Sequence, residues 1–143
     1  MVSPTSLPAL AVSETGAGLD LARLAFLTEI FGRSGSPATI GELVDAFVED
    51  GHLRLEAMGR CLGAGDLASV AGLAHELKGS SGTIGAVALC DAVSGLHRRA
   101  LASAGGEAGT PPEVDDVEQW LDLTRLEFRR AELALRSAVQ GPV

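Results

Sequence analysis

One histidine, His75, lies in the segment Ala74-His75-Glu76-Leu77-Lys78-Gly79-Ser80-Ser81-Gly82-Thr83-Ile84-Gly85-Ala86. Wound as a helix at about 100° per residue, this stretch puts Val70, Leu73, Leu77 and Ile84 roughly opposite His75. Ala68, Ala71, Gly72, Lys78, Gly79 and Gly82 fall on the histidine's own side. The imidazole therefore stands away from the apolar face, among small residues and one cation. Imidazole titrates near neutrality, so an unprotonated, nucleophilic share is available around pH 7. Each glycine inside a helix costs about 1 kcal/mol against alanine. Access of a large partner to the ring would offset that cost. Close helix packing beside an ordinary solvated histidine is the competing explanation.

The same residues resemble the signature of histidine-containing phosphotransfer (HPt) domains, the intermediates of phosphorelays. His75, Leu77, Lys78, Gly79, Ser80, Ser81, Ile84, Gly85 and Ala86 meet every fixed position of that pattern. Upstream, Leu43 to Asp50 and Gly65-Asp66-Leu67 look like the helix and turn that precede the family histidine. Downstream, Leu89, Val93 and Leu96 follow the family's core spacing. The resemblance covers about residues 38–103 well and the flanks weakly.

The resemblance implies that His75 accepts a phosphoryl group from a receiver-domain aspartate and passes it to another, normally through Nε2. Lys78, one turn on, would neutralise part of the added charge of about −1.5 to −2. Its alternative is an ordinary surface lysine. Gly79 would leave room for the partner, and Ala68, Ala71, Gly72 and Gly82 would complete the accessible face. Ser80 and Ser81 turn toward the bundle, where their hydroxyls are expected on carbonyls one turn back. Many family members place a Gln or Glu on the next helix to orient the ring. Here the count lands near His97. An imidazole can do that work in one tautomer, or His97 is a satisfied histidine beside Cys90 and Val93. His52 carries no assigned role. A metal site is not expected, because no Glu-x-x-His pair or Cys cluster accompanies these histidines.

Composition narrows the rest. At 143 residues the chain suits one domain. Its formal net charge of −8, with no basic stripe carrying aromatics, argues against nucleic acid as a partner. Cys61 and Cys90 make no disulfide framework and suit a reducing, cytoplasmic setting. No apolar run reaches the ~18 residues of a membrane span. Residues 1–18, with Pro4, Pro8, Gly16 and Gly18, suggest a flexible leader ahead of a domain over 19–140.

The apolar spacing predicts five helices and no strand. The first runs from about Asp20 to Phe31, with Leu21, Leu24, Leu27 and Phe31 on its sticky face and Gly32 as its stop. The second starts near Thr39, with a Thr39–Glu42 capping box, and Gly51 marks a bend or a close approach. Asp66 caps the third, which carries His75 to about Gly82. The fourth spans about Ala86 to Ser103. Thr110-Pro111-Pro112-Glu113 opens the fifth, whose seam is Val117, Leu121, Phe128, Ala131 and Leu135. The expected architecture is all-α: an antiparallel up-down four-helix bundle, with the short N-terminal helix across one end.

No ATP-binding glycine loop or kinase motif is present, and no acidic cluster that would hold Mg²⁺. The expected function is thus a monomeric phosphoryl carrier rather than an enzyme. It would need no cofactor, because Mg²⁺ belongs to the receiver domain. Partners would be receiver domains and hybrid sensor histidine kinases, docking on the His75 face with Leu67 and part of Phe31. The rival is a helical adaptor that binds a signalling partner without phosphotransfer.

Overall fold

The fold is described from a computed structural model over residues 18–34, 40–105 and 114–140. Among these residues five helices follow one another: α1 (Leu21–Ser34), α2 (Ile40–Gly63), α3 (Leu67–Ile84), α4 (Val87–Ala104) and α5 (Val114–Gln140). Each long helix packs on two others, in the ring α2–α3–α4–α5. Chain neighbours run antiparallel, so the ring is the expected four-helix bundle.

The core is aliphatic. Val44 and Met58 of α2, Val70, Ala74 and Leu77 of α3, Val93, Leu96 and Ala100 of α4, and Val117 and Leu135 of α5 are fully enclosed. On α5 the seam is a near-perfect alternation of four and three: Val117, Leu121, Thr124, Phe128, Ala131, Leu135. Thr124 occupies the polar step, and its hydroxyl donates to the Trp120 carbonyl at 2.7 Å. A buried hydroxyl is thereby satisfied within its own helix.

α2 runs through Gly51 unbroken. A Cβ there would lie 2.3 Å from Phe128 Cε1, so the glycine is where α5 comes close. Gly95 plays the same part on α4 against Trp120, at 2.1 Å.

The α3–α4 corner is tightly built. Asp66 opens α3 by accepting the Ser69 N–H at 3.1 Å. Gly85 closes α3 in the left-handed region, at φ 85°, a conformation that favours glycine. Two residues beyond the expected Gly82 are therefore helical. α1 lies across this corner: Asp20 N–H donates to Gly85 O at 2.7 Å, and Arg23 Nε to Thr83 O at 2.9 Å. Gly18 packs on Ala88, whose N–H donates to Gly18 O at 3.1 Å.

Three expectations about α1 and α3 change. Gly32 does not stop α1, which continues to Ser34. Leu24 and Leu27 are buried, whereas Leu21 is half exposed (51%). Leu67 is 3% exposed because the first turn of α3 points it into the core, so it is not a docking residue. The rest of the leader, the Thr39 and Thr110 caps and the Phe31 side chain lie outside the described residues. Among the described residues, no helix is long and apolar enough to cross a membrane.

Candidate functional site

His75 lies midway along α3, with its side chain in solvent. The helix that carries it is fixed from behind by Val70, Ala74, Leu77 and Ile84, each nearly or wholly enclosed. Leu73, expected on the same buried side, is half-buried. The two serines behave as their positions require. Ser81 Oγ donates to Leu77 O at 2.7 Å, and Ser80 Oγ to the same oxygen at 3.1 Å. Neither hydroxyl is directed at the histidine.

The front of α3 is bare. Gly72 and Gly79 are exposed, and a Cβ built on either meets nothing within 4 Å. A Cβ on Gly82 would just touch Cys90 Sγ, at 4.0 Å. These glycines are unlike Gly51 and Gly95, whose missing side chains make room for another helix. Among the described residues nothing requires Gly72 or Gly79, although each costs about 1 kcal/mol of helix stability. Ala68 is exposed as expected. Ala71 is not: at 4% exposure it belongs to the core of the bundle. The accessible strip is therefore Ala68, Gly72, His75, Lys78, Gly79 and Gly82.

α4 brings His97 to this strip. The two imidazole centroids are 5.4 Å apart, with the ring planes tilted by 44°. His97 is half-buried. Its proton affinity lies below the ordinary histidine value, first because of desolvation and then because of repulsion from His75, Lys78 and Arg98. Lys78 is exposed on the next turn of α3. Its carbonyl lies 3.8 Å from Cys90 Sγ, a thiol whose pKa is raised by burial and by the charge of Asp91.

Among the described residues no carboxylate pairs with either ring. Glu76, adjacent to His75, is turned to the α2 side, where Arg54 Nε binds it at 3.0 Å. Arg54 also pairs with Asp50. The site thus presents an exposed imidazole, a second imidazole, an ammonium that pairs with no carboxylate among the described residues, and open space. His52 is elsewhere, on α2, with its ring edge against Phe128 and Nε2 3.4 Å from Glu132. No group of three or more metal-ligating side chains occurs among the described residues.

Sequence reasoning missed one exposed apolar feature, on α1. Phe26 (50% exposed) and Ile30 (44%) stand one turn apart on α1, with Leu21 at its start. Their spacing was legible, but which side of α1 meets the bundle depends on the Gly85 and Thr83 contacts.

The family model for the Hpt domain matches residues 42–127 of this chain. This chain belongs to the Hpt domain family. The Hpt match spans α2 to α4 and the first half of α5, and so includes both histidines of the site. A curated relative is the sensor histidine kinase AruS of Pseudomonas aeruginosa, 38% identical over 101 residues. That alignment covers 71% of this chain and only 9% of AruS, so the chain corresponds to a small part of that protein. No solved structure matches. Hpt domains are phosphocarrier modules that work with receiver domains and histidine kinases, which places this chain in phosphorelay signalling of the two-component type.

Proposed function

We propose that His75 is the phosphoacceptor, taking a phosphoryl group from a receiver-domain aspartate and delivering it to another. The observation that carries this reading is the uncovered ring itself. It is exposed mid-helix, flanked by Gly72 and Gly79, whose missing side chains leave open space rather than accommodate packing. A partner's acidic pocket can close over such a ring without meeting a side chain at either glycine position.

In the transfer, the lone pair of the neutral imidazole forms the N–P bond. The P–O bond to the donor carboxylate breaks, and that carboxylate leaves with the electron pair. Lys78 lies one turn on and offsets part of the charge that arrives. His97, 5.4 Å from His75, is a positioning residue that limits where the ring can turn. This chain supplies nucleophile, orientation and access. The receiver supplies Mg²⁺, the acidic pocket and most of the barrier lowering. The domain is then a carrier and not an autonomous enzyme, acting as a monomer in the cytoplasm without a cofactor of its own.

The docking face extends from the glycine strip toward α1, where Phe26 and Ile30 expose apolar surface one turn apart. Arg23 and Asp20 tie that helix to the C-terminal end of α3.

The test is a two-leg transfer. A receiver carrying labelled phosphoryl is mixed with the chain, and an unlabelled second receiver is then added. Acid-labile label is expected to move onto the wild type and onward, and not onto a folded His75→Gln variant. Label on that variant would refute the assignment of His75. Tight binding to receivers with no label moving would make the chain an adaptor.

A further inference from the structure

We propose that His97 is a second cation for the transferred group: it takes up a proton when His75 becomes phosphorylated and, with Lys78, holds the new negative charge. This rests on the carrier reading of His75. Its basis is the placement of the two rings, with centroids 5.4 Å apart and tilted by 44°, on helices packed side by side.

The surroundings of His97 are one-sided before phosphorylation. From α3 it faces His75 and Lys78, and on α4 its neighbour is Arg98, all of which disfavour a proton on it. Asp91 lies nearly two turns earlier on α4, beside Cys90. From α5, Asp116 is held by Arg99 at 3.1 Å. Glu76, also on α3, is held by Arg54 of α2. No carboxylate among the described residues pairs with His97, so it is left neutral near pH 7.

Phosphorylation reverses the local sign. A phosphoryl group carries about −1.5 to −2 charge. An opposite charge within about 4–6 Å favours the protonated imidazole. The balance is simple: the N–P bond forms as the donor P–O bond breaks, and His97 accepts one proton from solvent to become an imidazolium. The phosphorylated carrier then binds one more proton than the free carrier. Acid therefore favours phosphoryl on this chain, and alkali favours its release to a receiver. A glutamine at this position could orient the ring but could not supply that charge.

Two measurements on the full chain test this. The ring protons of His97 are titrated by NMR before and after His75 is phosphorylated with phosphoramidate. The midpoint is expected to move to higher pH on phosphorylation, and an unmoved midpoint overturns the proposal. The phosphoryl equilibrium with a receiver is then compared at pH 6 and pH 8. The wild type is expected to shift toward the phosphorylated carrier on acidification by up to about tenfold more than His97→Gln. Equal shifts in a variant with an unchanged unfolding midpoint at pH 8 overturn it as well. Failure of any phosphoryl group to reach His75 would refute the carrier reading and this proposal together. Phosphoryl on His75 beside an unresponsive His97 would refute this proposal alone.

Discussion

Gly79 offers a case in which stability and function are expected to move in opposite directions. It lies four residues after His75, on the same strip of α3, and is exposed. A Cβ there meets nothing within 4 Å, so Gly79→Ala adds no clash in the isolated chain. What remains is helix propensity, worth about 0.5–1 kcal/mol in favour of alanine. For a domain of this size that corresponds to a rise in Tm of about 2–5 °C. Bound to a receiver, the same methyl stands about 5–6 Å from the histidine Cβ. Overpacking a fitted surface costs about 1–3 kcal/mol, or roughly a five- to hundredfold loss of transfer rate. Gly79→Leu keeps most of the propensity gain and is expected to transfer more slowly still. Thermal unfolding by circular dichroism and the rate of label loss from a phosphorylated receiver measure both sides. A lower Tm for Gly79→Ala would refute the argument that the fold does not need this glycine. A raised Tm with unchanged transfer for both variants would refute the argument that access keeps it.

The packed glycines should behave differently. Gly51→Ala is expected to destabilise by about 1–3 kcal/mol, read by denaturant unfolding, because Phe128 is 1% exposed and cannot retreat. Gly95→Ala should cost less and should shift the fluorescence of Trp120, a half-buried ring that can swing outward from beneath Arg99. Phe26→Asp, at a half-exposed position, is expected to leave Tm within about 2 °C and to slow transfer chiefly through weaker receiver binding. His97 binds its proton less readily in the folded chain than at its ordinary value of 6.5. Its contribution to stability is therefore full above that pH and is lost as pH falls through the window beneath it. His97→Gln should flatten that part of the stability–pH curve between pH 7 and 5.

The bundle was legible because the α5 seam and the α2 stripe repeat at helical spacing over long stretches. The Asp66 cap follows from a local rule, whereas the stop expected at about Gly82 lies at Gly85, where the backbone turns left-handed. His75 was legible for a similar reason, since one turn of α3 suffices to place the glycines around it. Two misreadings concern rotation by a fraction of a turn, and a third concerns helix length. Ala71 sits at the margin of the accessible strip on a helical wheel, and packing against the core decides its side. Leu67 lies in the first turn, where no earlier residue indicates which way the helix faces. Gly32 lies inside α1, so a lone glycine did not end a helix held by Leu24 and Leu27. The pairing of His97 with His75 was countable from the helix hairpin, but the separation of their rings depends on how α3 and α4 pack.

The most direct measurement is the location of the phosphoryl group after the chain is exposed to a phosphorylated receiver and digested at neutral to alkaline pH. Mass spectrometry of the peptide that contains His75 is expected to show the group on that imidazole, and to show none on His52 or His97. A phosphoryl group on either of those histidines, or none on the chain while the receiver is consumed, would contradict the account.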